Sequence, residues 1–232
     1  MSQHIKHFKK NTTGRDFVVG DIHGHFTKLQ SQLEALGFNP DGGDRLFSVG
    51  DLVDRSDDSA DCFAWLQQPW FHAIAGNHED MAIVFALAPG LQEWYRSNGG
   101  AWNIRNDQAT REWVAEQFEK LPLAIDIETD NGLVGLVHAN CPFPSWNRLV
   151  DFLEDEDDPS SIQRFSHWKE LIQWDRSRIN KGDASGVKGL HALVVGHTPL
   201  REVEKLGNVY HIDTGGWASE KRKFTILDIS TL

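Results

Sequence analysis

Short, mostly apolar runs of strand length recur along the first 80 positions of the chain, and a polar turn follows each of them. The runs, each followed directly by glycine, lie at 17–19, 46–49 and 71–75. Apolar residues at helical spacing fill the segments 26–36 and 60–67, and a third helical pattern begins at Met81. This alternation of strands and helices predicts parallel strands with helices on the faces of the sheet.

The second half of the chain predicts further strands. Apolar runs at 123–128 and 133–138 flank an Asn-Gly turn, which is typical of a β-hairpin. Helical patterns precede this hairpin at 91–102 and 109–121. The late strands, which we expect to form a second, mixed sheet, are predicted at 192–195, 209–213 and 224–229.

The chain shows no internal repeat and no linker-like segment, so we expect one domain over residues 15–232. Residues 1–14 are polar and basic, which predicts a loosely ordered lead-in rather than a secretory signal. No stretch approaches the roughly 20 apolar residues of a membrane span. We therefore expect a cytoplasmic protein with no membrane association. The acidic run at 151–158 predicts a solvated loop.

The composition of the chain argues against some classes of binding partner and indicates a cellular compartment. The net charge of -11 disfavours non-specific binding of nucleic acid, which needs clustered Lys and Arg. The two cysteines, Cys62 and Cys141, are interpreted as unpaired thiols in a reducing compartment. No coiled-coil heptads or apolar interface stripe occur, so we expect a monomer. Tryptophans within the helical patterns, Trp102 among them, are expected to pack in the core.

Acid, amide and imidazole side chains come directly after the predicted strands. Six of them are candidate metal ligands: Asp21, His23, Asp51, Asn77, His138 and His197. Six ligands can hold two cations if one carboxylate bridges, and Asp51 is the natural bridge because it can offer two oxygens. Mixed Asp, Asn and His ligation suits Mn²⁺, Fe or Zn²⁺ better than Ca²⁺ or an all-oxygen Mg²⁺ site. Such a cation pair lowers the pKa of a bridging water and polarises a phosphoryl group.

The polar turns also carry a family signature. Gly-Asp-Ile-His-Gly at 20–24, Gly-Asp-Leu-Val-Asp-Arg at 50–55 and Gly-Asn-His-Glu at 76–79 resemble the PPP family of metallophosphatases. The closest resemblance is to the serine/threonine protein phosphatases of the bacterial and bacteriophage lambda type, from about position 16 to 227. Four supporting motifs follow in order: Ser-Asn-Gly-Gly at 97–100, Trp-Asp-Arg-Ser-Arg at 174–178, Gly-His-Thr-Pro at 196–199 and Ile-Asp-Thr-Gly at 212–215.

The resemblance implies roles at the matching positions. The first metal ion would be bound by Asp21, His23 and Asp51, and the second by Asp51, Asn77, His138 and His197. His78 would protonate the leaving-group oxygen, with Asp54 orienting it. Arg55 and Arg176 would hold the phosphate oxygens, beside Asn77, for which the planar donor fork of arginine is well suited.

Four positions depart from the pattern of the family. Ser56 stands where Gly usually follows Asp-Arg, and His25 stands where Cys is common. Ala75 and Asn140 occupy positions where close bacterial relatives often have Arg and Asp. None of these changes removes a proposed ligand, so they bear on specificity rather than on activity.

These observations favour a calcineurin-like metallophosphoesterase fold, α/β, with a central β-sandwich of mixed sheets flanked by helices. The expected activity is metal-dependent hydrolysis of phosphomonoesters on serine or threonine of a phosphoprotein or peptide, with tyrosine as a further acceptor. The attacking group would be a hydroxide on a dinuclear site, with Mn²⁺ favoured over Fe or Zn²⁺. One alternative is a dinucleoside-polyphosphate hydrolase, in which Ala and Asp usually replace Asp54 and Glu79. The others are a nuclease, which the acidic charge disfavours, and a non-catalytic phosphoprotein-binding pseudophosphatase.

Overall fold

The computed structural model describes residues 4–154 and 161–232, and only the backbone of residues 161–164. Its strands β1 to β10 are, in chain order, Ile5–Phe8, Asp16–Val19, Arg45–Ser48, Phe71–Ala73, Ala124–Thr129, Gly132–Val137, Ala192–Val195, Glu204–Leu206, Val209–His211 and Ile226–Asp228. Its helices α1 to α9 are Phe26–Ala35, Cys62–Leu66, Asn77–Leu87, Gln92–Ser97, Ala101–Ile104, Gln108–Phe118, Trp146–Glu154, Ser161–Trp174 and Ser177–Lys181. Short 3₁₀ segments span Pro40–Gly42, Asp57–Asp61, Pro89–Leu91 and Ile229–Thr231.

Two mixed sheets form the centre of the fold. The first has the order β10-β2-β3-β4, and the second has the order β1-β5-β6-β7-β9-β8. Strands β2, β3 and β4 run parallel, as do β6, β7 and β9. The predicted hairpin is present as the antiparallel pair β5–β6.

Apolar side chains fill the layer between the sheets and cover both outer faces. The inner layer joins side chains of both sheets, among them Val18, Phe47, Ile74, Ile125, Leu136 and Val194. On the outer face of the first sheet, α1, α3 and α6 contribute Leu29, Phe85 and Phe118. On the outer face of the second, α7 and α8 contribute Trp146 and Ile172. The predicted β-sandwich flanked by helices is therefore confirmed.

Strand β8, Glu204–Leu206, was not predicted at all, and two further strands lie where the sequence did not place them. The lead-in predicted over residues 1–14 is wrong for Ile5–Phe8, which pairs in parallel with β5 and buries Ile5. The last strand, β10, was expected in the second sheet but pairs antiparallel with β2 in the first. Strands β1 and β10 each pair with a strand that is distant in the sequence. No local sequence pattern predicts such a pairing.

Three local predictions are corrected by the helices. Asn77 and His78, expected at a strand end, form the first turn of α3. The helix expected over 91–102 is divided into α4 and α5, with Gly99 between them in a left-handed conformation at φ 99°. Of the acidic run at 151–158, residues 151–154 belong to α7, which buries Leu153, and residues 155–158 lie outside the described part. The predicted loop is therefore wrong for 151–154.

Two further expectations can be compared with the structure. Cys62 and Cys141 are both free and buried, as expected for unpaired thiols. Within the described residues, no helix combines the length and the apolar character that a membrane crossing requires.

One buried histidine makes stability depend on pH. His211 in β9 is 2% exposed, and neither ring nitrogen has a hydrogen-bond partner among the described residues. Burial, with a smaller effect of the Arg178 charge, lowers the pKa of His211 from 6.5 to about 4. Between these values the unfolded chain binds a proton that the folded protein does not, so stability falls as the pH decreases toward 4.

We expect His211→Leu to be stabilising, and by about 1–2 kcal/mol more at pH 5 than at pH 8, because leucine removes this proton uptake. Denaturant titrations at both pH values measure the effect. His167→Leu, at an exposed histidine of α8, is the matched control. An equal change at both pH values would contradict the role of His211.

Candidate metal centre

The candidate side chains lie where the carboxyl ends of the parallel strands of both sheets meet. The turns after β2, β3 and β4 carry Asp21, Asp51 and Asn77. His138 directly follows β6, and His197 follows β7. Contacts across the two sheets, such as the one between Asn77 and His138, bring these turns together.

The backbone of these turns is strained. In the described part of the chain, the residues other than glycine that have a positive φ, between 48° and 70°, are His23, Asp51, Asp54, Arg55 and His197. All five are predicted site residues. The left-handed conformation costs such a residue roughly 1–2 kcal/mol, and strain of this kind persists where the surrounding structure enforces it, typically at functional sites.

One group of ligand atoms forms around Asn77. Its Oδ1 lies 2.9 Å from His138 Nε2 and 2.8 Å from His197 Nδ1. Oδ1 of Asp51 lies 3.2 Å from the same nitrogen of His138. One ligand atom each from Asp51, His138 and His197 lies within 4.8 Å of the others.

A second group forms on the other side of Asp51. Oδ2 of Asp51 lies 3.7 Å from His23 Nε2 and 3.8 Å from His78 Nε2, and the ligand atoms of these three residues lie within 4.8 Å of one another. The two oxygens of Asp51 therefore face different groups, as a bridging carboxylate requires. Asp21 belongs to neither of these two groups, and both its oxygens accept the backbone N–H of His197 at 3.1 Å.

Hydrogen bonds fix which imidazole nitrogens are free. Nδ1 of His23 donates to the Val53 carbonyl at 2.8 Å, and Nδ1 of His138 donates to the Val49 carbonyl at 2.7 Å. His197 donates through Nε2 to the Trp174 carbonyl at 3.2 Å. In each neutral ring the other nitrogen keeps its lone pair, and these are the nitrogens that face Asp51 or Asn77. Backbone carbonyls are common partners of metal-binding histidines.

The free atoms are therefore acceptors that face other acceptors. Burial lowers the pKa of His197 to about 3, so its Nδ1 remains a lone pair 2.8 Å from Asn77 Oδ1. Burial alone would lower the pKa of His138, but the charge of Asp51 outweighs it and raises the pKa. A proton on His138 or a bound cation would satisfy the atoms that face one another here.

Two buried carboxyl groups beside this cluster, those of Asp21 and Asp213, also favour a bound cation. Burial raises the pKa of Asp21 well above its usual range, and the charges of Asp213 and Asp51 raise it further. Burial likewise raises the pKa of Asp213, whose carboxyl group lies beside that of Asp21 and shares a hydrogen bond with it. The donor set of carboxylates, amide and imidazoles therefore fits divalent cations.

His78 differs from the other histidines of the site in its partner. Its Nδ1 donates to Oδ2 of Asp54 at 2.7 Å, and both side chains are buried. A buried carboxylate, unlike a carbonyl, stabilises the charged imidazolium. Among the described histidines of the site, His78 therefore differs in that its Nδ1 pairs with a carboxylate instead of a backbone carbonyl.

The two predicted phosphate-binding arginines lie on the exposed rim. Nη2 of Arg55 lies 3.1 Å from His78 Nε2, and its guanidinium lies 4.2 Å above the ring of Trp217. Arg176 directly precedes α9 and donates from Nη2 to the His197 carbonyl at 3.4 Å. Both guanidinium groups therefore adjoin a histidine of the site and are open to an anion from solvent.

Glu79 holds two of the polar turns together. Its buried carboxylate accepts the backbone N–H groups of Asp51, Leu52 and Gly76 at 2.8–2.9 Å. The contact with Gly76 also begins helix α3 at Asn77, since it satisfies a free N–H of the first turn. The sequence assigned Glu79 no role in the site, although it is part of the third motif. Trp217 was missed as well, and it follows the Ile-Asp-Thr-Gly motif by two positions.

The four departures from the family pattern fall around the site. His25 and Ser56 line a cavity of about 550 Å³ along α1. Ala75 lines another of about 610 Å³. Asn140 donates to Asp175 at 2.7 Å and accepts from Arg178 at 3.1 Å. An aspartate at 140 would repel Asp175, so the amide fits these two partners.

Comparisons with known proteins agree with this geometry. The family described as calcineurin-like phosphoesterase matches residues 17–219. Serine/threonine-protein phosphatase 1 of Salmonella typhimurium is 35% identical over 205 residues, 86% of this chain and 85% of that protein. Serine/threonine-protein phosphatase 2 of Escherichia coli is 32% identical over 90% of each chain.

Two less similar proteins complete the comparison. A bis(5'-nucleosyl)-tetraphosphatase of Anoxybacillus flavithermus is 26% identical over 85% of this chain and 84% of its own length. The crystal structure of a cold-active protein-tyrosine phosphatase of a Shewanella species has a TM-score of 0.57 at 15% identity, covering 97% of this chain and 77% of that one. At this identity the structural likeness shows the fold alone.

Proposed function

Because the chain belongs to the calcineurin-like phosphoesterase family, we propose that it is a metal-dependent protein phosphatase that removes phosphate from serine and threonine. One observation carries the proposal: acceptor atoms converge on both oxygens of Asp51, beside a histidine that is paired with a carboxylate. The relatives named as serine/threonine phosphatases, at 31–35% identity, support the substrate class.

The residues of the site divide between two cations. Asp21, His23 and Asp51 would hold the first, and Asp51, Asn77, His138 and His197 would hold the second. When bound, such cations supply Lewis-acid polarisation of a phosphoryl oxygen and make a water molecule more acidic. We propose Mn²⁺ as the metal, with Fe and Zn²⁺ as alternatives that the same ligands can bind.

The remaining side chains would handle the phosphate and the proton. Arg55 and Arg176 would bind phosphate oxygens through charge-assisted hydrogen bonds. The Arg55 guanidinium lies 3.1 Å from His78 Nε2, so a phosphate held by Arg55 lies beside that imidazole. His78 would then give a proton to the departing serine or threonine oxygen, while Asp54 stabilises the charged ring before transfer.

A substrate and metal panel tests this function. We expect protein stripped with a chelator to be inactive, and added Mn²⁺ to restore phosphate release from phosphoserine and phosphothreonine peptides. The same preparation should cleave diadenosine tetraphosphate more slowly. Malachite-green phosphate assays and chromatography of the nucleotides measure the two reactions.

The competing functions make different predictions in that panel. Faster cleavage of diadenosine tetraphosphate would favour the dinucleoside-polyphosphate hydrolase that the 26% identical relative suggests. A folded, metal-loaded protein without activity would favour a phosphoprotein-binding pseudophosphatase. A monomer, a cytoplasmic location and the lack of a nucleic-acid or membrane partner stay predictions from the sequence.

A further inference from the structure

The Asp54 carboxylate receives hydrogen bonds from three side chains. Its Oδ2 accepts from His78 at 2.7 Å, while Oδ1 accepts from the Tyr95 hydroxyl at 3.0 Å and from Trp102 Nε1 at 2.7 Å. Asp54 and Tyr95 are 0% exposed, and Trp102 is 7% exposed. Both donors on Oδ1 come from one segment, helices α4 and α5 and the turn between them.

The same turn also holds Arg55. The Gly99 carbonyl accepts the backbone N–H of Arg55 at 3.0 Å. A Cβ on Gly99 would lie 2.7 Å from that nitrogen, and a Cβ on Gly100 would lie 2.5 Å from the Tyr95 ring. The two glycines are therefore needed for this close approach. This gives a structural reason for the Ser-Asn-Gly-Gly motif, which contributes no candidate metal ligand.

These contacts enforce the strained backbone of the second polar turn. Asp54 and Arg55 are consecutive left-handed residues at φ 70° and 65°. Their side chains meet the two ring nitrogens of His78: Asp54 Oδ2 accepts from Nδ1 at 2.7 Å, and Arg55 Nη2 lies 3.1 Å from Nε2. The α4–α5 turn fixes the Arg55 backbone, and Tyr95 and Trp102 fix the Asp54 carboxylate.

Packing alone does not account for Tyr95 and Trp102. Phenylalanine would fill much of the same space, yet both polar atoms are directed at one oxygen of a buried carboxylate. A buried carboxylate oxygen without donors would lack hydrogen-bond partners in the interior, which is costly. Because both donors occupy Oδ1, Oδ2 is left for His78, and this sets the tautomer and the ring plane of the imidazole.

We propose that Tyr95 and Trp102 are positioning residues for the general acid, acting on His78 through Asp54. The inference rests on the proposed function, since it needs His78 to protonate a leaving group. It assigns a task to the Ser-Asn-Gly-Gly motif, namely to keep the acid and the phosphate-binding Arg55 in a fixed relation.

The test uses Tyr95→Phe and Trp102→Phe in the full chain loaded with Mn²⁺. For a phosphoserine peptide we expect kcat to fall about 10-fold in each variant and about 100-fold in the double variant, with KM changed less than twofold. For p-nitrophenyl phosphate, whose leaving group needs no proton, the loss should stay below about threefold. In a His78→Asn background, adding Tyr95→Phe should have no further effect.

Matched controls separate positioning from a general loss of structure. Tyr210→Phe in β9 and Trp113→Phe on α6, which is 45% exposed, should leave both activities unchanged. Melting temperature and metal content are measured for every variant. If Trp102→Phe fails to fold, Tyr95→Phe carries the test, because it removes a single oxygen.

The possible results separate a failure of this inference from a failure of the proposed function. With an active wild type, three results would overturn the inference alone. The variants could lose the same rate on both substrates, they could lose none, or Tyr95→Phe could lower the rate further in the His78→Asn background. A folded, metal-loaded wild type without activity on either substrate would overturn the proposed function and the inference with it.

Discussion

Asp51→Asn is expected to bind divalent metal more than about 100-fold more weakly than the wild-type protein. The two oxygens of Asp51 face His138 and His23, at 3.2 and 3.7 Å from their Nε2 atoms. Asparagine keeps one oxygen, loses the negative charge and places an NH₂ group against a lone pair. The estimated loss exceeds the 10–100-fold that changes outside the ligand shell usually cause.

Elemental analysis after dialysis measures the change, with Asp41→Asn on the exposed surface as the matched control. Activity should fall in parallel with metal content and return in part at high Mn²⁺ concentration. A folded Asp51→Asn protein with unchanged metal stoichiometry would remove Asp51 from the bridging position.

His78→Asn is expected to keep its metal but to lower turnover of a phosphoserine peptide by roughly 10²–10⁴, the usual range for a general acid. The loss should be smaller with p-nitrophenyl phosphate, because p-nitrophenolate leaves without a proton. The physical basis is the partner of each ring. His23, His138 and His197 donate to backbone carbonyls, whereas His78 donates to a buried carboxylate.

Metal content decides between two roles for His78, since its Nε2 also lies 3.8 Å from Asp51 Oδ2. Loss of one metal equivalent in His78→Asn would make His78 a ligand, and equal losses on both substrates would exclude it as the acid. His167→Asn, at an exposed position of α8, controls for the loss of an imidazole.

The sequence predicted much of the site because parallel strands end at the same edge of a sheet. Asp51, Asn77, His138 and His197 each follow a strand closely, and the structure brings their ligand atoms together. Asp21 is the exception: its carboxylate lies against the His197 backbone, so its role as a ligand stays a prediction. The pairing of Asp54 with His78 was predicted from the family resemblance, and the structure places Asp54 Oδ2 2.7 Å from His78 Nδ1.

The sequence by itself determined the alternation of strands and helices from β2 to α3, the hairpin and the polar turns, because each depends on neighbours within a few positions. Only the tertiary structure decided that β1 and β10 complete opposite sheets, since pairing such as that of Ile5 with Ala124 depends on chain closure. It also decided that Tyr95 and Trp102 meet Asp54, across 41 and 48 positions. Local patterns record which side chains are buried, but not which buried polar atoms become partners.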